Sequence, residues 1–398
     1  MPVTKQDDNM TYKIKNRDEH CKNDNLPKRI LSLDGGGLKG ILTIGILQRI
    51  ENVLRERHGN SRDFRLCHYF DLIAGTSTGS IIAAVLAKGW SVEQVREEYM
   101  GFGERIFQKS LLRHGFIRAK YDERLFSQEL KKAYGEHTTL DSDELQTGLL
   151  IITKRLDTGS PWPISNNPQG KYFGPQSGGV IGNGKYPLWQ VVRASAAAPS
   201  FFDPESLSII DNAGNKALEG LFVDGSMSPY NNPAMQAFMY ATLQGYRMAW
   251  SKGADKLLLV SVGTGISDPS VGKATLTAAH SINSLLSLMD DCAALQETLL
   301  QWMSSSPTAR HIDAELGDLG DDLIAGEPLF SYLRYNVDLT EASVRELDHT
   351  LSDSPRIESL GKIDAPENMA LLHKLGSLAA ERDIRASHFP GVFDLAAH

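Results

Sequence analysis

At 398 residues the chain is long enough to bury a sizeable core unaided, as one large domain or two ordinary ones. Its 41% hydrophobic and 23% charged residues are those of a globular protein and argue against a fibrous or low-complexity chain. A net charge of −8 with no long basic stripe argues against a nucleic-acid polymer as partner, and three widely spaced cysteines (Cys21, Cys67, Cys292) argue against a disulfide framework or a CxxC zinc site.

In chain order, residues 1–28 are polar and mixed in charge, lack the apolar centre of a signal peptide, and are expected to form a flexible tail. Ile30-Leu31-Ser32-Leu33 predicts a buried strand running into Asp34-Gly35-Gly36-Gly37. Leu38, Leu42, Ile46, Ile50 and Leu54, each four apart, predict the helix after it. Residues 70–74 predict a second strand, followed at once by Gly75-Thr76-Ser77-Thr78-Gly79 and a helix-forming run over 80–88 closed by Gly89. Strand, glycine turn and helix thus occur twice. The apolar run 81–87 is far short of the roughly 20 residues that cross a bilayer, so the chain reads as cytoplasmic and non-spanning. Between 102 and 126, Phe102, Ile106, Phe107, Leu111, Leu112, Phe116 and Ile117 are interleaved with Arg105, Arg113, Arg118 and Lys120. This pattern fits an amphipathic helix covering a sheet, or alternatively a surface that lies on lipid.

Further along, 149–153 reads as a buried strand and 157–186, rich in Gly, Pro and Asn, as a long surface loop. A helix is expected from Pro187 to Ala197, a short strand over Leu221-Phe222-Val223 entering Asp224-Gly225, and a helix from Asn232-Pro233. Residues 256–262 predict a strand ending in Gly263-Thr264-Gly265. From about 270 the chain is helix-rich: 272–303 and a capped amphipathic helix over 364–381, with strand-like alternation at Leu333, Tyr335, Val337 and Leu339 between them. Short apolar strands alternating with helices predict an α/β fold, a mostly parallel sheet with helices on both faces. No linker divides 29–398.

Two turns carry chemistry. Gly75-Thr76-Ser77-Thr78-Gly79 fits G-x-S-x-G between a strand and a helix, where a serine is pushed up at the sheet's C-terminal edge above a helix N-terminus. Ser77 is therefore the candidate nucleophile, with Gly75, Thr78 and Gly79 shaping the elbow; the plain alternative is a turn that only joins two elements. Three successive glycines, Gly35, Gly36 and Gly37, fit a nest of backbone N–H groups facing an anion. Gly35, Gly37 and Gly40 also satisfy the dinucleotide pattern G-x-G-x-x-G, so a dinucleotide-binding protein is the competing reading. That reading wants an acid closing the next strand, and the next strand ends in the serine elbow instead. Asp224-Gly225 alone is most simply a turn. No HExxH or close His/Cys pair points to a metal, and no cofactor is expected.

Together, Asp34–Gly40, Gly75–Gly79 and Asp224-Gly225 resemble, in order and separation, the three signature blocks of patatin-like phospholipases. Residues 194–199 with Phe201-Phe202, and Asn231-Asn232-Pro233, are also similar to segments of that family. The resemblance covers residues 29 to 265 well and the helix after Asp364 loosely. It implies a three-layer α/β/α fold of the modified α/β-hydrolase kind over 29–398. It further implies a Ser77–Asp224 dyad and an oxyanion hole from Gly35, Gly36 and Gly37, with Lys39 where the family has Arg or Lys. Ser226 departs from the Gly or Ala usual there. The implied substrate is a phospholipid or related lipid ester, met at the inner membrane surface by a peripheral protein. The stand-alone bacterial members it is similar to include antiphage effectors switched on by cyclic oligonucleotides, which adds such an activator to the expected partners. No residue marks a pocket for it or an oligomeric state.

Overall fold

The computed structural model describes residues 12–108, 122–199, 201–210, 218–267 and 277–397. Its centre is a sheet of eight strands: β1 (Lys28–Leu33), β2 (Leu72–Thr76), β3 (Gly148–Arg155), β4 (Pro161–Ser165), β5 (Glu205–Ile210), β6 (Leu218–Asp224), β7 (Leu257–Val262) and β8 (Ser331–Tyr335). The order is β5-β6-β3-β2-β1-β7-β8, with β4 on β3. The run β3-β2-β1-β7-β8 is parallel, whereas β4 and β6 oppose β3 and β5 opposes β6.

Side chains alternate across each strand, and both faces are covered. Leu31, Leu33, Ile73, Leu149, Ile151 and Val260 join a core with the helices Gly40–Arg57, Thr78–Ala87, Leu188–Ser195 and Met369–Asp383. Ile30, Leu72, Ala74, Leu150, Ile152 and Leu259 face the helix Ala234–Thr242. This is the expected three-layer α/β/α arrangement with a mostly parallel sheet. The four-residue apolar spacing of the first long helix does bury Leu42, Ile46, Ile50 and Leu54. The Met369–Asp383 helix meets it backbone to backbone: a Cβ on Gly376 would strike the Leu42 carbonyl, and one on Gly45 would come within 2.8 Å of the His373 carbonyl. The helix-rich C-terminal part is therefore built into the core.

Two expectations are corrected. The flexible tail expected over 1–28 does not hold from Tyr12 onward. A short helix, Arg17–Cys21, opens with a capping box between Asn16 and Glu19, and Tyr12, His20 and Cys21 are buried. The polar composition misled because its charged groups are paired: His20 Nδ1 lies 2.8 Å from Asp71, which also takes the Arg29 Nε–H at 2.9 Å. Against burial, which alone would raise it, Arg29 and His20 hold the Asp71 carboxyl well below the usual range. Secondly, 157–186 is not all loop. Pro161–Ser165 forms β4, whose prolines fit because it lies off the main path and pairs only with β3 among the described residues.

Among the described residues no helix is long and apolar enough to cross a membrane. Of the interleaved basic and apolar segment, residues 109–121 lie outside the described residues. Before them Ile106 is buried, Phe102 packs 5.6 Å from Phe126, and Arg105 pairs with Glu129 at 2.8 Å.

Candidate active site

β2 ends at Thr76 and the helix Thr78–Ala87 begins two residues later, so Ser77 alone makes the turn. Its φ of 53° and ψ of −125° lie where non-glycine residues are strained. The neighbours hold it there. Ser77 N–H donates to Ser195 Oγ at 2.9 Å, and Ser195 Oγ donates onward to the Ile152 carbonyl at 2.6 Å. The Ser77 carbonyl accepts from Ser80 N at 2.8 Å and Ser80 Oγ at 2.6 Å. The flanking glycines are steric requirements: a Cβ on Gly75 would collide with the Gly79 carbonyl, and one on Gly79 with the Leu33 carbonyl.

β6 brings Asp224 to this turn, its Cα in register with Thr153 of β3. Ser77 Oγ donates to Asp224 Oδ2 at 2.6 Å, and Ser226 N–H donates to Oδ1 at 2.8 Å. Ser226, the departure from the family pattern, thus reaches Asp224 through both its backbone N–H and its side chain. Asp224 is buried, and burial pushes its carboxyl up to about 6, although its hydrogen bonds from Ser77 and from the backbone and side chain of Ser226 work the other way.

The glycine loop follows β1, the strand beside β2, so both loops leave the carboxyl ends of adjacent parallel strands. Gly35 lies against the elbow: a Cβ there would come 3.2 Å from Ser77 Cβ. Two of the loop's carbonyls are held by side-chain hydroxyls. Gly35 O accepts from Thr264 Oγ1 at 3.0 Å, and Gly37 O accepts from Thr78 Oγ1 and Tyr99 OH, both at 2.8 Å. Gly35 N–H is taken by the Asn231 carbonyl at 3.0 Å, whereas the N–H groups of Gly36 and Gly37 have no acceptor among the described residues. Gly37 has φ +58°, and a Cβ there would strike the Ile363 carbonyl. The three glycines expected to act alike therefore divide, with two free donors and one occupied.

Lys39 sits apart from them. Its buried ammonium donates to the Gly265 carbonyl and to Ser267 Oγ, both at 3.1 Å, and burial lowers its pKa. The dinucleotide reading finds no acid at the end of β2, where Thr76 Oγ1 donates to the Tyr230 carbonyl at 2.7 Å. Sequence reasoning noticed Ser195, Asn231 and Thr264 but gave them no role, and missed Tyr99 and Arg334 altogether. Each reaches the site from a distant point in the chain, and no local pattern marks such a contact.

A sequence profile described as Patatin-like phospholipase matches residues 31–238, more than half of the chain. A protein named cGAMP-activated phospholipase from Vibrio cholerae is 31% identical over 54% of this chain and 57% of its own length. Patatin-T5 of Solanum tuberosum is 29% identical over 59% of this chain and 60% of its own length. The chain thus spans less than two-thirds of these relatives. Human GIVD cytosolic phospholipase A2 superposes on 89% of this chain and 58% of its own, with a TM-score of 0.41 and 10% identity. With the profile matched from β1 through the glycine loop, the serine elbow and Asp224, the chain belongs to the patatin-like phospholipase family.

Proposed function

We propose that the protein is a lipid acyl hydrolase that cleaves fatty-acyl esters of phospholipids through a Ser77–Asp224 dyad. The observation that carries this is the 2.6 Å hydrogen bond from Ser77 Oγ to a buried carboxylate. A serine hydroxyl is a poor nucleophile until a base takes its proton, and a carboxylate raised to about 6 is a better base than one in water. As Ser77 Oγ attacks the ester carbonyl, its proton moves to Asp224 Oδ2 and the carbonyl oxygen becomes an oxyanion. The free N–H groups of Gly36 and Gly37 receive that charge. Collapse of the adduct expels the alcohol half of the lipid, which leaves with the proton from Asp224. Water then attacks the acyl-Ser77, giving its proton to Asp224, and the fatty acid departs as Ser77 recovers its hydrogen. The carboxylate thus acts as base and then acid in each half, with no histidine required.

The test is hydrolysis of a short-chain p-nitrophenyl ester and of phospholipid vesicles by wild type, Ser77→Ala and Asp224→Ala. Both variants are expected to lose at least about 10³-fold in rate. A Ser77→Ala protein as fast as wild type would remove the proposal.

Regulation by a cyclic dinucleotide is a finer part of the same reading, supported by two bacterial relatives named cGAMP-activated phospholipase. The activator is expected to raise the ester-hydrolysis rate of the purified chain; equal rates with and without cGAMP count against it. A cytoplasmic protein working peripherally at the inner membrane surface would meet both its substrate and such a ligand.

A further inference from the structure

The glycine loop's first residue, Asp34, carries a buried carboxylate that the mechanism above does not use. Its partner comes from 300 residues away. Arg334, on β8 at the far end of the parallel run, donates Nη1–H to Asp34 Oδ1 at 3.1 Å and Nη2–H to Oδ2 at 2.7 Å. Nη1 also donates to Ser261 Oγ of β7 at 2.8 Å. Nε lies 3.5 Å from Glu297 Oε2, on the helix Thr277–Trp302, and Glu297 Oε1 is 3.2 Å from Arg310 Nε. Charges of alternating sign thus run from the loop to the surface, where Arg310 is 39% exposed.

The loop's backbone is fastened at Gly35, Gly37 and Leu38, the last by its N–H to the Ile363 carbonyl at 2.8 Å. The peptide N–H groups of Gly36 and Gly37 are left without an acceptor among the described residues, as the proposed oxyanion role requires. The Gly36 N–H shares a peptide plane with the Gly35 carbonyl that Thr264 holds, and the Gly37 N–H one with the Gly36 carbonyl that accepts from Lys39 N–H; Asp34 anchors the point where this stretch leaves β1. A bidentate guanidinium fixes a carboxylate in plane as well as in distance, which a point charge does not. Arg334, Glu297 and Arg310 all lie outside the residues 31–238 that match the family profile.

We infer that Arg334 is a positioning residue for the reaction, holding Asp34 so that the Gly36 and Gly37 N–H groups are aimed at the developing oxyanion. The inference rests on the proposed oxyanion role of that loop. It makes the C-terminal part of the chain a component of the active site. The expected signature is a loss in kcat without a matching change in KM, because the aimed donors matter only when charge develops.

The experiment uses the full chain and five variants: Arg334→Met, Arg334→Lys, Asp34→Asn, the Asp34→Asn/Arg334→Met double variant and Ser77→Ala. Each is assayed on p-nitrophenyl butyrate well below its melting temperature, together with inhibition by a trifluoromethyl ketone that forms a tetrahedral adduct on the serine. Arg334→Met is expected to lose about 10²-fold in kcat, the worth of one oxyanion donor, with KM within about twofold and inhibitor affinity falling in parallel. Arg334→Lys is expected to fall between it and wild type. Asp34→Asn should match Arg334→Met, and the double variant should be no slower than either. A folded Arg334→Met with wild-type kcat, or one whose loss leaves the ketone affinity unchanged, overturns the inference. Should Arg334→Met not fold, Arg334→Lys decides by the same two criteria. If Ser77→Ala is inactive while Arg334→Met is fully active, only the role of Arg334 fails; if Ser77→Ala keeps its activity, the reading of the site fails.

Discussion

Among the described residues, Asp224 accepts from Ser77 Oγ and from the backbone and side chain of Ser226 and faces no cation, so burial governs its titration. Only the carboxylate form can take the serine proton. The pH profile of kcat/KM is therefore expected to rise with pH and pass its half-maximum near 6, the value to which burial lifts the group. Stability runs in the opposite sense. A carboxyl whose folded pKa lies above its unfolded one favours folding when protonated. That contribution is fully present below the ordinary carboxylate value and is lost as pH rises through about 6. The loss is on the order of 3 kcal/mol. Asp224→Asn is expected to be inactive yet more stable than wild type at pH 7, with the gap narrowing towards pH 4; urea denaturation at the two pH values measures it. The carboxylate proposed as the base is thus a cost to the fold.

Elements with a strong local signature were legible in the sequence. The first long helix announced itself through Leu42, Ile46, Ile50 and Leu54, and β1, β3 and β7 through continuous apolar runs, because a strand covered on both faces has no polar side to show. The elbow and the glycine loop were legible because steric crowding permits little but glycine at Gly75, Gly79 and Gly37. β4 was hidden by its own prolines, whose usual meaning is a turn. Asp224 was visible only beside the other motifs, since an Asp-Gly step at a strand end is common. Ser195 illustrates what stays out of reach: it ends an ordinary amphipathic helix, yet its hydroxyl joins the Ser77 N–H to the β3 carbonyl of Ile152. Ser195→Ala leaves both groups unpaired in a buried place. It is expected to cost about 1–3 kcal/mol in thermal or urea unfolding and to slow turnover more than it weakens substrate binding.

Across the whole molecule, the first and last described segments meet. Tyr12 pairs with Ala397 in a short antiparallel bridge, and its hydroxyl lies 3.0 Å from His68 Nδ1. Its ring stands edge-on to Phe64 at 6.0 Å. Nearby, Arg57 pairs with Asp394 at 2.7 Å and Leu395 N–H donates to His58 Nε2 at 3.0 Å. With Tyr12 only 1% exposed, Tyr12→Ala is expected to cost about 3–5 kcal/mol by the measure of buried aromatic truncations. Denaturant unfolding checks this, and a loss under about 1 kcal/mol would mean the segment is a surface attachment. The same tie explains why composition misjudged this stretch: one aromatic ring and a few paired charges anchor it, too few to change an average.

The left-handed backbone of Ser77 has a practical side. Alanine is the usual replacement for a serine nucleophile, but it keeps the Cβ that makes this conformation unfavourable. Glycine removes hydroxyl and Cβ together and adopts positive φ freely. Ser77→Gly is therefore expected to melt higher than Ser77→Ala, by the equivalent of about 1–3 kcal/mol, while being equally dead. For trapping the proposed lipid substrate uncleaved in a crystal or on a vesicle, glycine is then the sturdier decoy, and the difference between the two variants weighs the tension stored at Ser77.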